Sequence, residues 1–225
     1  MREPLVRATS IARVYEAGGT RLRAVSDATF VIEAGETIAV VGPSGSGKST
    51  LLHLIAGLET PSAGSISWPS IGDRDALRPG PVAIAFQGPS LLPPLTVIEN
   101  VALPVILAGG SSDEANTGAL DLLEAFAAEE LADRLPEELS GGQSQRVGLA
   151  RAFAGSPRLV LADEPTGQQD HAGGERVIEV ALDRARRAGA ALVVATHDPT
   201  VADRLGARWS MLDGTLRREG LQCSA

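Results

Sequence analysis

Residues 40–50 read Val-Val-Gly-Pro-Ser-Gly-Ser-Gly-Lys-Ser-Thr. Within them, Gly42, Gly47, Lys48 and Ser49 fall on the spacing by which a glycine-rich loop cradles phosphate. The preceding run, Thr37–Val41, is apolar and β-branched and reads as a buried strand. The following run, Thr50–Gly57, reads as a helix that stops at glycine. Strand, glycine loop and helix in that order are the context that gives the spacing its meaning. Gly42, Gly45 and Gly47 let the backbone curl until successive N–H groups point inward at one anion. A helix beginning near Lys48 aims its positive dipole end at the same place. Lys48 then reaches terminal phosphates as a point charge, and the Ser49 hydroxyl is a ligand for Mg²⁺.

Of the 20 basic residues only Lys48 is a lysine. The chain uses arginine wherever any cation serves, and keeps the compact ammonium for a position where a planar fork suits a phosphate cage badly. A length of 225 residues, 44% of them hydrophobic, suffices for one large domain or a domain with a small subdomain. Aromatic residues are only 3%, so the core is expected to consist of Ala, Leu, Val and Ile. A net charge of −8 without a basic block speaks against nucleic-acid binding. The lone Cys223 can form no internal disulfide, which fits a reducing cytosol. Met1–Arg7 lacks a signal-peptide core, and no apolar run approaches the roughly 20 residues that span a bilayer. A cytoplasmic chain without direct membrane insertion is expected, any membrane role passing through a partner.

Outward from the glycine loop, Leu5–Tyr15 reads as a strand followed by a turn at 16–20. Ala28–Glu33 and Glu36–Val41 flank Ala34-Gly35 and suggest a hairpin. Tyr15, the chain's single tyrosine, reads from its surroundings as a half-buried strand residue, with adenine stacking as the alternative. Ser65–Trp68 is a short strand and 69–81 a loop rich in proline and glycine. Val82–Phe86 is a strand with Gln87 at its carboxyl end, where ligands of open α/β sheets collect. Thr96 caps a short helix over Val97–Leu103. Ser111 and Glu114 make a capping box for a helix running to about Leu131, with Leu120, Leu123, Phe126 and Leu131 as its core-facing stripe. Ser140 caps a helix through Ala154, and Gly141 and Gly142 free that N-terminus for close approach to an anion. Leu159–Ala162 is a buried strand closed by Asp163 and Glu164, adjacent carboxylates that Mg²⁺ and an activated water would account for. A charged helix covers about Glu175–Ala188. Ala190–Ala195 is a further parallel-type strand, ended by Thr196 and His197, and Asp213-Gly214 turns a hairpin between 210–212 and 215–216.

The order of glycine loop, strand-end glutamine, Leu139-Ser-Gly-Gly-Gln143, apolar strand with Asp163-Glu164 and strand-end histidine resembles the ATP-binding subunit of ABC transporters over nearly the whole chain. The joint pattern is far more specific than any member. The resemblance implies an α/β fold, a P-loop ATPase core with an N-terminal antiparallel β subdomain and a helical signature subdomain. It implies one domain over 1–225, with 1–86 and 157–225 as core and β subdomain and about 88–156 as helical subdomain. By position, Gly42, Pro43, Ser44, Gly45, Ser46, Gly47, Lys48, Ser49 and Thr50 look like the Walker A loop, and Tyr15 like the adenine-stacking aromatic. Ser140, Gly141, Gly142 and Gln143 look like the signature loop, Leu159–Glu164 like Walker B, His197 like the switch histidine and Asp170 like the D-loop aspartate.

Catalysis would then fall to Glu164, His197 and Gln87, and Mg²⁺ to Ser49, Gln87 and Asp163, with ATP held between two copies or paired subunits arranged head to tail. An integral membrane permease is the implied partner, which places the chain peripherally on the cytoplasmic face of the cell membrane. The stretch from Gln87 to Pro104 and Asp163–Gly167 are similar to the branch of lipoprotein-release and macrolide-export ATPases. Two departures stand out: a short, Pro/Gly-rich 65–81 segment, and Gln169 where the D-loop normally carries leucine. An ATPase energising a permease, an ABC ATPase regulating a membrane partner without transport, and a soluble P-loop NTPase are the three readings.

Overall fold

The computed structural model describes residues 3–88 and 90–218, so Cys223 lies outside the described residues. The chain opens with an antiparallel pair, β1 (Val6–Ala17) and β2 (Thr20–Ile32), turned at Gly18 and Gly19. Both glycines take positive φ, 57° and 79°, as a tight turn between right-twisted strands requires. β3 (Thr37–Val41) leads through the glycine loop into α1 (Lys48–Ile55). β4 (Ala63–Ser67) returns to pair with β1. β5 (Val82–Ala85) precedes three helices, α2 (Val97–Leu107), α3 (Ser112–Ala125) and α4 (Gly141–Phe153). The chain then alternates β6 (Leu159–Asp163), α5 (His171–Ala188), β7 (Ala191–Thr196) and α6 (Pro199–Ala202), and closes on the hairpin β8 (Ala207–Leu212) and β9 (Thr215–Arg218).

Among the described residues nine strands make one sheet in the order β4-β1-β2-β9-β8-β3-β7-β6-β5. β3, β5, β6, β7 and β8 run parallel at one side, and β1, β2 and β4 pair antiparallel at the other. Strand alternation divides the apolar residues between two cores. Ile38, Val40, Leu159, Leu161, Ala191 and Val193 face the core that holds α1 and the β1–β2 hairpin. Ala39, Val160, Ala162, Leu192 and Val194 face the core built with α2, α3, α4 and α5. Few aromatics enter either core. Trp68 and Trp209 are nonetheless buried, the Trp68 indole N–H donating to the Ile55 carbonyl at 2.8 Å.

Four local expectations need correction. The hairpin at Ala34-Gly35 does not form, because β3 pairs in parallel with β7 and β8 and not with β2. β3 is apolar on both faces, and only an interior strand between two layers buries both. The turn at 33–36 exists but carries the chain across the sheet, while the hairpin is made at Gly18-Gly19. The helix from Val97 does not stop at Leu103. Pro104 deletes one ladder bond, yet the Ala108 N–H donates to the Pro104 carbonyl four residues back, and the Gly110 N–H closes the helix end on the Val105 carbonyl five back.

The helix from Ser112 ends at Ala125 rather than near Leu131. Ala127 takes φ 50° there and turns the chain without a glycine to announce it. Leu120, inside α3, is 46% exposed because the helix buries the face of Ala115, Ala119, Leu122 and Leu123, while Leu123, Phe126 and Leu131 are buried as expected. The charged helix starts at His171, not Glu175, because the Asp170 carboxylate caps it by accepting from the Gly173 N–H at 2.7 Å.

Candidate nucleotide-binding cleft

Between β3 and α1 the backbone folds into a nest whose shape is set from behind by neighbouring backbone. A side chain at Gly47 (φ 101°) would run into the Ala24 carbonyl of β2, and one at Gly42 into the Met211 carbonyl of β8. The Gly214 N–H in the β8–β9 turn donates to the Ser46 carbonyl at 3.1 Å and holds the loop from the same side. Glycine is therefore required here by close approach as well as by curvature. Lys48 sits across the nest, 7% exposed, its Nζ donating to the carbonyls of Gly42 at 2.8 Å and Pro43 at 3.1 Å.

In front of the nest opens a cleft of about 540 Å³. Tyr15 and Leu22 line it from the first hairpin, Pro43–Gly45 and Gly47–Thr50 from the loop, and Gln87, Asp163, Glu164 and His197 from strand ends. Gly42 and Ser46 stand behind it, the Ser46 hydroxyl buried without a side-chain partner. The chemistry-bearing residues come together because β3, β5, β6 and β7 are parallel, which puts their carboxyl ends on one rim. Glu164 is buried and takes φ 47°, a left-handed conformation that a non-glycine residue holds only when its surroundings dictate it. Its Oε1 lies 3.4 Å from Lys48 Nζ and its Oε2 lies 2.9 Å from His197 Nδ1.

Asp163 beside it is 4% exposed, and its Oδ1 has no hydrogen-bond partner. Burial pushes its carboxyl above the usual carboxylate range; the Ser49 hydroxyl, His53 and Lys48 oppose the shift while Glu164 adds to it. An orphaned buried carboxylate oxygen beside a serine hydroxyl is a donor set for a hard divalent cation, so the residues present fit Mg²⁺.

Five residues tied to nucleotide by the sequence lie elsewhere. Ser140 caps α4, its Oγ accepting from the Gln143 N–H at 3.3 Å while Gln143 Oε1 accepts from the Ser140 N–H at 2.8 Å. Neither they nor Gly141 and Gly142 line the cleft, and Asp170 is occupied at the start of α5.

With the phosphate nest, the paired carboxylates, the strand-end histidine and a separate glycine-led helix in place, the family comparison decides. The ABC transporter profile matches residues 25–167. The chain belongs to the ABC transporter family. An uncharacterised ABC transporter ATP-binding protein of Mycobacterium tuberculosis (strain H37Rv) is 42% identical, covering 91% of this chain and 86% of that protein. The ATP-binding protein LolD of the lipoprotein-releasing system of Idiomarina loihiensis is 39% identical, over 97% of this chain and 99% of LolD. Among solved structures, the dimeric ATP-binding cassette MJ0796 in a post-hydrolysis state with ADP and Pi superposes with a TM-score of 0.89 at 34% identity, covering 96% of this chain and 99% of that one. A second dimeric structure of MJ0796, described as a bacterial ABC transporter cassette, gives 0.90 at 35% over the same shares.

Two parts of the ABC cleft escape a motif reading. Leu22, 63% exposed, stands directly across from Tyr15 in the β1–β2 register. Arg13 lies over the Tyr15 ring at 4.7 Å and is itself held by Glu59 at 2.6 Å. The signal for Leu22 was available: taking Gly18-Gly19 as the turn places 22 opposite 15. If adenine stacks on the free face of this ring, Tyr15→Ala should weaken ATP binding by up to roughly tenfold and Tyr15→Phe should be nearly silent. Fluorescence titration with a labelled ATP analogue measures both, and an Ala variant of unchanged affinity would make Tyr15 a plain strand residue.

Proposed function

We propose that this chain is the ATP-hydrolysing subunit of an ABC transporter, working as a head-to-tail pair beneath an integral membrane permease. The observation that carries the reading is the incomplete cleft. One copy supplies the phosphate nest, Asp163, Glu164 and His197, yet the Ser140–Gln143 helix start lies outside that cleft. A second copy can bring it in, and the solved relatives at 34% and 35% identity are dimers. Residues 1–225 serve as one domain, with 1–86 and 157–225 as core and β subdomain and about 88–156 as the helical part.

In the mechanism, Tyr15 stacks on adenine and the N–H groups of 43–50 embrace the phosphates. Lys48 exchanges its carbonyl contacts at Gly42 and Pro43 for phosphate oxygens. Ser49, Asp163 and Gln87 would hold Mg²⁺, which when bound supplies positive charge to the phosphate oxygens. Glu164 orients and deprotonates the attacking water. His197, on the other oxygen of Glu164, fixes that carboxylate and faces the terminal phosphate. The partner's Ser140–Gln143 helix start completes the phosphate cage, so that ATP closes the pair and hydrolysis lets it open.

No helix among the described residues is long and apolar enough to cross a membrane. Attachment would therefore run through the permease and place the chain peripherally on the cytoplasmic face. A groove of about 480 Å³ lined by Gln87, Leu91, Pro93, Leu139 and Gln145 adjoins the cleft through Gln87, and Leu92 beside it is 43% exposed. A short permease helix docked there would sense the state of the cleft. Export or lipoprotein release is the transport class, following the likeness to LolD. Leu92→Asp should keep ATP affinity within about twofold and lose most of the membrane protein that co-purifies with the wild type. Full co-purification with intact transport would place the docking surface elsewhere.

A further inference from the structure

Three glutamines join two parts of the chain that the mechanism assigns to different ATP sites. Gln145, on α4, uses both ends of its carboxamide: Nε2 donates to the Glu164 carbonyl at 3.1 Å, and Oε1 accepts from the Gln168 N–H at 3.0 Å. The chain from Glu164 onward is drawn tight by the Gly167 N–H on the Glu164 carbonyl at 3.2 Å and the Gln169 N–H on the Thr166 carbonyl at 3.0 Å. The Gln169 side chain then reaches back to the signature loop, Nε2 donating to the Gly142 carbonyl at 2.6 Å.

Packing follows the same path. A side chain at Gly141 would overlap the Gln168 carboxamide, and a Cβ at Gly142 would come 2.9 Å from the Gln168 carbonyl and 3.1 Å from Gln169 Nε2. The two glycines thus serve an intrachain purpose besides close approach to an anion: glutamines of the same subunit lie on them.

We propose that Gln145, Gln168 and Gln169 form a strap that positions the Ser140–Gln143 helix start from the Glu164 side of the same chain. One end is the left-handed Glu164 backbone, whose carboxylate works on the chain's own ATP. The other end is the helix start offered to the partner's ATP. A displacement of the Glu164 backbone is passed by three hydrogen bonds to the N–H groups the neighbouring nucleotide needs. Gln169 acts here as a positioning residue, since it touches Gly142 and no nucleotide. The inference rests on the composite-site reading above.

The test uses full-length mixed dimers with Glu164→Gln in both subunits and Lys48→Ala in one, so that a single ATP can be retained. Gln169→Glu replaces the donating amide with an oxygen that repels the Gly142 carbonyl. With Gln169→Glu and Lys48→Ala on the same subunit, the surviving ATP faces the altered strap. With the two changes on opposite subunits, it faces an intact one. Retained radiolabelled ATP should fall roughly tenfold in the first arrangement and stay at the level of the Lys48→Ala control in the second. Gln169→Leu, which keeps the volume and loses the donor, should give the same asymmetry.

Equal loss in both arrangements, loss in neither, or loss only in the second would overturn the strap. Ser140→Arg in place of Gln169→Glu is the reference. If it too shows no difference between arrangements, the composite site fails and takes the strap with it; if it does while Gln169→Glu does not, the strap alone is wrong.

Discussion

Glu164→Gln should bind ATP, hydrolyse it about 10² to 10⁴ times more slowly than the wild type, and collect as a dimer with two trapped nucleotides. The expectation follows from what surrounds this side chain. Asp163 is turned to a buried pocket with Ser49, which leaves Glu164 as the carboxylate free to handle water. Glutamine keeps the shape and can still accept from Lys48 and meet His197, so the 3.4 Å and 2.9 Å contacts that order the site have a replacement. Its neutrality removes repulsion toward the terminal phosphate, which favours the closed dimer. The backbone at φ 47° is as strained for Gln as for Glu, so stability should change little.

Gel filtration with saturating ATP and Mg²⁺ reads the dimer, and nucleotide counting reads the occupancy. A mixed dimer of Lys48→Ala and Ser140→Arg subunits should trap one ATP, because one site then carries both defects and the other neither. A Glu164→Gln chain that stays monomeric even beside its membrane partner would favour a soluble NTPase.

Lys48→Ala should lose two orders of magnitude or more in ATP affinity. The ammonium that would meet the phosphate oxygens is gone, and Glu164 and Asp163, both buried, are left facing a triphosphate without the Lys48 charge between them. Lys48→Arg should be nearly as damaging although the charge is kept. The position is 7% exposed and closed by two carbonyls at 2.8 Å and 3.1 Å, a space for a point ammonium and not for a planar fork. Calorimetric titration of the folded variants decides the matter, and an arginine variant of near-native affinity would contradict the cage.

The residues of the cleft were legible in the sequence where chemistry fixes both residue type and spacing. Gly42 to Ser49, Asp163, Glu164 and His197 could be placed because each follows a strand whose apolar run is unmistakable. The hairpin error at Ala34-Gly35 arose because turn chemistry tells where a chain reverses and not which strand it joins. The pairing of β3 with β7 and β8 is a long-range choice made by burial on both faces. The end of α3 was invisible for the opposite reason: Ala127 adopts a positive φ that nothing local prescribes. Gln169 was visible only as a departure from leucine, and its bond to the Gly142 carbonyl depends on a fold that brings residues 27 apart together.

The phosphate loop rests mainly on main-chain groups, the carbonyls of Ala24 and Met211 and the Gly214 amide, with the Met211 methyl the one neighbouring side chain against Gly47. Such a mould has no alphabet. A residue behind the loop that fits its own place in the core still presents the same carbonyl, whatever its side chain. What these residues cannot tolerate is a change of count. One residue added to or removed from β2 or the β8–β9 hairpin would slide a side chain into the place of a carbonyl and spoil the cast. The site is thus written in the spacing of the strands behind it more than in their letters.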